Sequence, residues 1–175
     1  MLRQNYDFSS IHVPIPDPLA SEIIHWGTTK LRDENIYMYD GTLGREDEIH
    51  ATVLYGLHSE SSQQTKELMQ NEPPFVVKLG KLKVFSNDTR FDVVYIEAEC
   101  DRLIELNKKL KKNVTYTTRY SRYEPHITIA YIKKDRGWKL YGASNFVGRD
   151  FECSYLIFSS KNGTKENVPM GQITK

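Results

Sequence analysis

A six-residue pattern, consisting of His, any residue, Thr, two apolar residues and Tyr, occurs twice in this chain of 175 residues. The first copy runs from His50 to Tyr55 and the second from His126 to Tyr131. Both copies are predicted to be strands, in which residues two apart share a face, so each His projects with its Thr. The opposite face is predicted to be apolar and to pack on a helix: Ala51, Val53 and Tyr55 in the first copy, and Ile127, Ile129 and Tyr131 in the second.

Two histidines and two threonines that converge on one cleft suit the cleavage of a phosphodiester. One imidazole accepts a proton from the nucleophile while the other protonates the departing oxygen. A pKa of about 6.5 lets both forms of histidine coexist near neutrality. Threonine hydroxyls can donate to the non-bridging phosphate oxygens, where charge gathers in the transition state. We therefore predict that His50, Thr52, His126 and Thr128 are catalytic and face one another through a pseudo-twofold arrangement.

Two other interpretations of the pattern are possible. A single histidine beside a threonine on a strand is more often a hydrogen-bonded structural pair, but the repetition of all four residues favours catalysis. A non-catalytic protein that binds a cyclic nucleotide as a sponge is a second alternative, although binding alone does not need two titrating imidazoles. No set of metal ligands accompanies the four residues, so we expect neither a metal nor a cofactor.

The repeated His-x-Thr pattern resembles the signature of the two-histidine (2H) phosphoesterase superfamily, which includes the 2′-5′ RNA ligase-like proteins. The similarity extends to PFVVKLGKLK at residues 74–83 and to YEPH at residues 123–126, and it covers about residues 10–160. The resemblance implies a bilobal α+β fold with two antiparallel sheets flanking a central cleft and helices outside. It also implies catalytic roles for the two His-x-Thr pairs.

Within that superfamily, EIHATVLYGL at residues 48–57 and EPHITIAYIKK at residues 124–134 are most similar to phage anti-CBASS nucleases. Those enzymes hydrolyse the cyclic di- and trinucleotides, such as cGAMP, that bacterial immunity uses as signals. The resemblance therefore implies a cyclic oligonucleotide substrate. An enzyme of RNA ends, acting on 2′-5′ linkages or 2′,3′-cyclic phosphates, is the alternative. Ile49 in one copy corresponds to Pro125 in the other, which leaves base identity and ring size open.

Basic and aromatic residues are interleaved around the second copy, where rings can stack on bases and cations can hold phosphates. The predicted substrate-binding residues are Trp138, Tyr123, Arg122 and Lys133. A solvated loop with a few core aromatics is the alternative for each of them. The remaining histidines, His12, His25 and His58, lack a threonine two places on and are predicted to be bystanders, with His58 near the rim of the cleft.

Periodicity and turn residues predict the elements that hold the two copies. Helices are predicted over residues 18–30, 61–70 and 102–112, with Asp17, Ser61 and Asp101 as caps. Strands are predicted over 11–15, 35–39, 50–57, 75–85, 91–99 and 126–132, followed by a hairpin of 153–159 and 166–171. The order indicates an α+β protein. The chain length predicts one domain over residues 1–175, and the resemblance implies that this domain is made of two pseudo-symmetric lobes.

Composition limits the partners. The net charge is +1, from 24 Lys+Arg and 23 Asp+Glu, so there is no global field to hold long nucleic acids. Cys100 and Cys153 lie far apart without metal-ligand spacing, as expected of reduced thiols. The chain has no apolar run of about 18 residues and no signal-peptide pattern, so we expect a cytoplasmic protein, in a bacterial host if it is phage-encoded, without a membrane partner. Oligomeric state is left open.

Overall fold

Ten strands and three helices make up the part of the chain that the computed structural model describes, residues 6–39 and 42–171. Short 3-10 turns lie at Asp33–Asn35 and Trp138–Leu140. The helices are α1 (Leu19–Lys30), α2 (Gln63–Met69) and α3 (Asp101–Asn113). The strands are β1 (Ser9–Pro14), β2 (Met38–Tyr39), β3 (Thr42–Leu43), β4 (His50–Leu57), β5 (Phe75–Phe85), β6 (Phe91–Glu99), β7 (His126–Lys133), β8 (Asp150–Cys153), β9 (Tyr155–Ser159) and β10 (Lys165–Pro169).

Eight of these strands form one antiparallel sheet in the order β10-β9-β1-β4-β7-β6-β5-β8. Its two halves of four strands meet where β4 lies beside β7, at the paired position of Ala51 and Ile127. We call this junction the seam. Because β4 and β7 carry the two copies of the repeated pattern, the seam brings both copies together at the middle of the sheet.

The three helices cover one face of the sheet. Helix α3 contacts β4, α1 contacts β7, and α2 contacts β10. Gly27 lets α1 approach β7 closely, since a Cβ at that position would lie 2.9 Å from Cγ2 of Ile129. The core between helices and sheet includes the fully buried side chains of Ile23, Leu103, Leu106, Leu110, Val53 and Ile127. The predicted α+β class and the placement of the helices outside are confirmed.

Several predicted boundaries differ from the structure. The predicted strand at 35–39 is reduced to Met38–Tyr39, because Asp33–Asn35 forms a 3-10 turn. The predicted strand at 153–159 is divided at Ser154, because β8 pairs with β5 while β9 pairs with β1 and β10. Asp101 is the first residue of α3 rather than its cap, and Cys100 precedes it in extended conformation. The two predicted sheets are two halves of one sheet, joined at the seam.

Each copy of the repeated pattern contains a β-bulge at its fourth residue. In the β1–β4 pairing, Ile11 lies opposite Leu54 and His12 opposite Thr52, which leaves Val53 as the extra residue. In the β6–β7 pairing, Val94 lies opposite Ala130 and Tyr95 opposite Thr128, which leaves Ile129 as the extra residue. The same irregularity therefore interrupts both strands at equivalent positions.

The bulges change which face the tyrosines occupy. An inserted residue reverses the alternation of side chains beyond it. Tyr55 and Tyr131 consequently lie on the same face as the histidines and threonines, opposite Ser10 and Val93 respectively. The prediction that these tyrosines share the apolar, helix-covered face was wrong, because strict period-two alternation does not hold across a bulge.

Dedicated donors satisfy the carbonyl of each bulged residue. The Asn107 side chain, on the buried side of α3, donates to the Val53 carbonyl over 2.7 Å. The backbone N–H of Glu46 donates to the Ile129 carbonyl over 2.9 Å. A buried carbonyl without a donor would carry a desolvation cost, so these bonds stabilise the bulged form of both strands.

The segment at residues 115–124, which has no clean period in the sequence, lies along the far end of β4. His58 N–H donates to the Thr115 carbonyl and Thr117 N–H donates to the Gly56 carbonyl. Gly56 has a φ of 100°, and a Cβ there would lie 1.8 Å from the Thr117 carbonyl oxygen, so only glycine fits. The segment thus continues the β-structure beside the seam and leads into the second copy.

Candidate active site

The four residues predicted to be catalytic lie together on the face of the sheet that the helices do not cover. The antiparallel pairing of Ala51 with Ile127 sets Thr52 beside His126 and His50 beside Thr128 on neighbouring strands. All four are partly exposed, whereas Ala51 and Ile127 between them are fully buried on the other face. Two histidines and two hydroxyls therefore converge at the seam.

Both histidines make the same hydrogen bond. Nδ1 of His50 lies 2.7 Å from the carbonyl oxygen of Glu48, and Nδ1 of His126 lies 2.6 Å from that of Glu124. In each case the acceptor is the residue two places earlier. A carbonyl can only accept, so Nδ1 carries a proton in both rings, and Nε2 is the atom that gains or loses one. This bond selects the tautomer that proton transfer at Nε2 requires.

The two imidazoles differ in their electrostatic surroundings. Burial lowers the pKa of His50, and the carboxylate of Glu46 opposes that change. Burial also lowers the pKa of His126, the carbonyl bond and charge of Glu124 oppose the change, and the charge of His50 lowers that pKa further. Once His50 is charged, His126 binds a proton less readily, so the pair favours one charged and one neutral ring. An acid and a base are thereby available together.

Aromatic edges surround His126. Tyr95, directly opposite Thr128, meets the His126 ring edge-on at 5.3 Å between centroids, and Phe85 does so at 5.0 Å. Phe85 and Tyr95 stack on each other at 3.9 Å. Burial, with smaller contributions from nearby acidic groups, raises the pKa of Tyr95 to about 12. Its phenol therefore remains a hydrogen-bond donor at every pH at which the histidines titrate.

A third histidine lies against His50. The ring of His12 stacks on that of His50, with centroids 4.0 Å apart and planes inclined by 17°. His12 was predicted to be a bystander, and the structure places its ring in direct contact with His50. The contact exists because β1 lies beside β4 in the sheet. The sequence around His12 contains no pattern that predicts this strand order.

A protein-family model described as the 2′-5′ RNA ligase superfamily matches residues 16–138, a span that contains both copies of the repeated pattern. The chain belongs to this superfamily. No curated protein matches the chain.

The structure of this 2′-5′ RNA ligase superfamily member is similar to solved structures from several organisms, of which three are described here. TT0787 of Thermus thermophilus has a TM-score of 0.66 at 16% identity, over 94% of this chain and 98% of the other. E. coli LigT complexed with 3′-AMP has a TM-score of 0.63 at 17% identity, over 98% and 99%. Kluyveromyces marxianus Usb1 has a TM-score of 0.58 at 14% identity, over 94% and 99%. At such identities the likeness shows the shared fold.

The residues predicted to bind substrate occupy different environments in this superfamily member. Tyr123 is partly buried and its hydroxyl donates to the Thr52 carbonyl over 2.9 Å, which ties the segment at 115–124 to β4. Arg122 is exposed, with Nε 3.8 Å from a carboxylate oxygen of Glu124. Lys133 is exposed at the end of β7. Trp138 is 51% exposed, and its ring lies 6.4 Å from that of Tyr141. Substrate contact by these four remains a prediction.

The remaining histidines are separate from the pair at the seam. His25 is exposed on α1. His58 contacts Thr117 through Nε2 at 2.8 Å and stacks on Phe8 at 5.4 Å between ring centroids. Phe8 also meets Tyr55 edge-on at 6.1 Å. The Phe8 ring thus lies between His58 and Tyr55, a tyrosine on the face of the two His-x-Thr pairs.

Sequence reasoning missed Glu46 and the face of the two tyrosines. The carboxylate of Glu46 raises the pKa of both His50 and Tyr131. Burial, followed by the charge of Glu46 and by Tyr120, raises the pKa of Tyr131 to about 12. The acidic run at residues 46–48 was the available signal, since it immediately precedes the first copy.

The described residues contain neither a cluster of metal ligands nor a helix that could span a membrane. Over residues 6–39 and 42–171, no group of three or more His, Cys, Asp or Glu side chains is arranged to hold a metal ion. In the same ranges, no helix is both long and apolar enough to cross a bilayer.

Proposed function

We propose that this protein is a metal-independent phosphodiesterase in which His50 and His126 act as paired acid and base. One observation carries the proposal: two imidazoles on adjoining strands make the same Nδ1 bond to a backbone carbonyl and each neighbours a threonine of the other copy. Membership of the 2′-5′ RNA ligase superfamily supports an activity of the phosphodiesterase type.

The four residues divide the reaction between them. The neutral imidazole accepts a proton from the nucleophile as its oxygen bonds to phosphorus, and the charged imidazole protonates the oxygen that leaves. The hydroxyls of Thr52 and Thr128 donate to the non-bridging oxygens, which gain charge in the transition state. After one turnover the two histidines have exchanged protonation states, and solvent restores them.

A ribose 2′-hydroxyl beside the scissile phosphate is the nucleophile in this proposal. It is already part of the substrate, so attack is intramolecular and needs little further ordering. The bond from the 2′ oxygen to phosphorus forms as the bond to the 5′ oxygen breaks. The 2′ proton goes to one histidine, and the 5′ oxygen receives a proton from the other. The product ends in a 2′,3′-cyclic phosphate.

We propose cyclic di- and trinucleotides as the substrate, with action against bacterial immune signals in the cytoplasm of the host. The phrases around both His-x-Thr pairs resemble phage anti-CBASS nucleases, and a net charge of +1 suits a small ligand better than a long nucleic acid. Exposed rings, including Tyr55 on the face of the two His-x-Thr pairs and Trp138 beyond the end of β7, offer surfaces on which bases can stack. The rings tolerate any base, so they are compatible with several cyclic nucleotides.

An enzyme of RNA ends is the second candidate. The observation that favours it is that solved structures with this fold include LigT complexed with 3′-AMP and Usb1 complexed with uridine monophosphate. Both ligands are single nucleotides with one phosphate. A protein that only binds a cyclic nucleotide is the candidate from a different functional class.

A substrate panel separates these candidates. The protein is incubated with cyclic dinucleotides, cyclic trinucleotides and RNA ending in a 2′,3′-cyclic phosphate, in EDTA, and the products are resolved by chromatography. We expect a cyclic oligonucleotide to be linearised as fast in EDTA as without it. Consumption of the RNA end alone would favour the second candidate, and binding without consumption would favour the sponge.

A further inference from the structure

His12 contributes a flat surface against which His50 rests. It lies directly opposite Thr52 in the β1–β4 pairing, on the polar face of the sheet. The near-parallel stack of its ring on that of His50, at 4.0 Å, leaves no room for another group between them. Any tilt of the His50 ring toward β1 therefore meets His12 first.

The His12 ring is itself held in place. Its Nε2 lies 2.8 Å from the hydroxyl of Ser10, which is buried. Strand β1 is paired on both sides, with β4 and with β9, where His12 lies opposite Ile157. A strand with two ladders cannot move without breaking hydrogen bonds on both sides. His12 is consequently a rigid part of the sheet rather than a mobile side chain.

The bond from His50 to the Glu48 carbonyl does not fix the ring plane by itself. Hydrogen bonds to carbonyl oxygens tolerate a broad range of directions, so Nδ1 can keep its acceptor while the ring tilts. Nε2, on the far side of the ring, then moves away from the substrate. A misplacement of about 1 Å can cost roughly a hundredfold in rate, so a second restraint on the plane has kinetic value.

Charges around the two rings allow the stack to persist through catalysis. His12 faces His50 and Lys165, while His50 faces Glu46 and His126 as well. Burial, then the charges of His50 and Lys165, hold the pKa of His12 well below its usual value. His12 therefore stays neutral while His50 gains and loses its proton, and the stack adds no repulsion to the charged state.

We propose that His12 is a positioning residue for His50, holding its imidazole in the plane in which Nε2 meets the scissile phosphodiester. The inference rests on the proposed function of the site and adds a residue from outside both His-x-Thr pairs. The other half of the sheet restrains His126 differently, through the edges of Phe85 and Tyr95. Tyr95, opposite Thr128, occupies the place that His12 occupies opposite Thr52.

Two substitutions of His12 show whether a flat ring at this position is what catalysis needs. His12→Ala removes the stacking surface, His12→Phe keeps a flat ring without titrating atoms, and His25→Ala, on an exposed helical position, is the control. We expect His12→Ala to lower kcat by about 10- to 100-fold with KM changed by less than about threefold. We expect His12→Phe to keep kcat within about threefold of the wild type, and His25→Ala to match it. Thermal unfolding shows whether each variant is folded.

An NMR titration of the His50 ring tests the inference without relying on turnover. His12→Ala admits water to His50, so the pKa of His50 should rise toward about 6.5, whereas His12→Phe should leave it near the wild-type value. An unchanged kcat and unchanged titration in His12→Ala would overturn the proposal. A folded His12→Phe as slow as His12→Ala would do so too. If the wild type cleaves nothing, the proposed function fails, and the titration still decides whether His12 holds His50.

Discussion

The Nδ1 bonds to the carbonyls of Glu48 and Glu124 determine what each catalytic candidate can do. A histidine that donates through Nδ1 presents Nε2 to its ligand, and both rings do so from neighbouring strands. Because the bond is made to backbone, it survives substitution of the Glu48 or Glu124 side chain. The tautomer of both rings therefore depends on the local backbone rather than on a carboxylate side chain.

Replacing a single residue of the site should lower turnover more than binding. His50→Ala or His126→Ala is expected to reduce kcat by ~10²–10⁴-fold, since each removes one proton-transfer group. Thr52→Ala or Thr128→Ala is expected to cost somewhat less, because each removes one donor to the phosphate. Steady-state kinetics give the loss of kcat, and calorimetry with the slow variants gives binding. Wild-type turnover in either histidine variant would contradict the assignment.

The pH profile of activity should be bell-shaped and displaced toward acidic pH. The base must be neutral, so activity falls as pH drops through its pKa, and the acid must be charged, so activity falls as pH rises through its pKa. Burial lowers the pKa of His50 and of His126, so both limbs should lie below the positions expected for exposed histidines. An optimum above about pH 7.5 would contradict this account.

Glu46→Gln should show which limb belongs to His50. The Glu46 carboxylate raises the pKa of His50, so its loss should move that limb to lower pH and leave the other limb nearly in place. Kinetics across pH for wild type and variant measure the shift, and Glu34→Gln, at an exposed position outside the site, is the control. Two unshifted limbs would show that Glu46 does not act on the catalytic pair.

At the scale of elements, the two bulges decide which side chains the site contains. Val53 and Ile129 have no opposite residue in the β1–β4 and β6–β7 pairings. Each bulge reverses the alternation of side chains beyond it, so that Tyr55 and Tyr131 join the face of the two His-x-Thr pairs. The Asn107 side chain stabilises one bulge from α3, while the backbone of Glu46 stabilises the other. Helix α3 thus contributes to the site although it lies on the opposite face.

Asn107→Ala should weaken both the fold and the site. It leaves the buried Val53 carbonyl without its donor, which should lower the free energy of unfolding by about 1–3 kcal/mol. It should also lower kcat, because Thr52 precedes the bulge directly. Urea denaturation measures the first effect. Asn113→Ala on the same helix, where the side chain is exposed, is the matched control. Equal stability of the two variants would show that the Asn107 bond does not hold the bulge.

The elements predicted from sequence were accurate where the pattern is local. Strands at 50–57, 75–85 and 91–99 were predicted with the bounds that the structure has, because β-branched runs end at clear turn residues. The bulges were missed because they depend on the register of a partner strand. The place of His12 was missed for a related reason, since adjacency of β1 and β4 is a property of the strand order.

At the scale of the whole molecule, the seam makes one site from two distant segments. The two halves of the sheet meet at Ala51 and Ile127, and neither half alone contains more than one His-x-Thr pair. The convergence of the four residues could be predicted because the pattern is repeated. Base identity and ring size could not, since we expect them to depend on loops outside the repeated pattern, such as the surroundings of Trp138 and Tyr141.

The proposed nucleophile can be tested on the substrate instead of the protein. A cyclic dinucleotide with hydrogen in place of the 2′-hydroxyl beside the scissile bond should bind but resist cleavage at that bond, because internal attack needs that oxygen. Binding is measured by calorimetry and cleavage by chromatography, with the unmodified ring as control. Rapid cleavage of the deoxy analogue would show that water is the nucleophile.

The central claim is that His50 and His126 form one catalytic unit, and the rate of the double variant tests it most directly. Residues that act as a unit are non-additive, so His50→Ala combined with His126→Ala should be about as slow as the slower single variant. The measurement is single-turnover cleavage of the substrate found in the panel, in EDTA, with folded wild type, both single variants and the double variant side by side. We expect the double variant to stay within about tenfold of the slower single variant. A double variant whose rate loss equals the product of the two single losses would contradict the central claim, as would cleavage by the double variant at the wild-type rate.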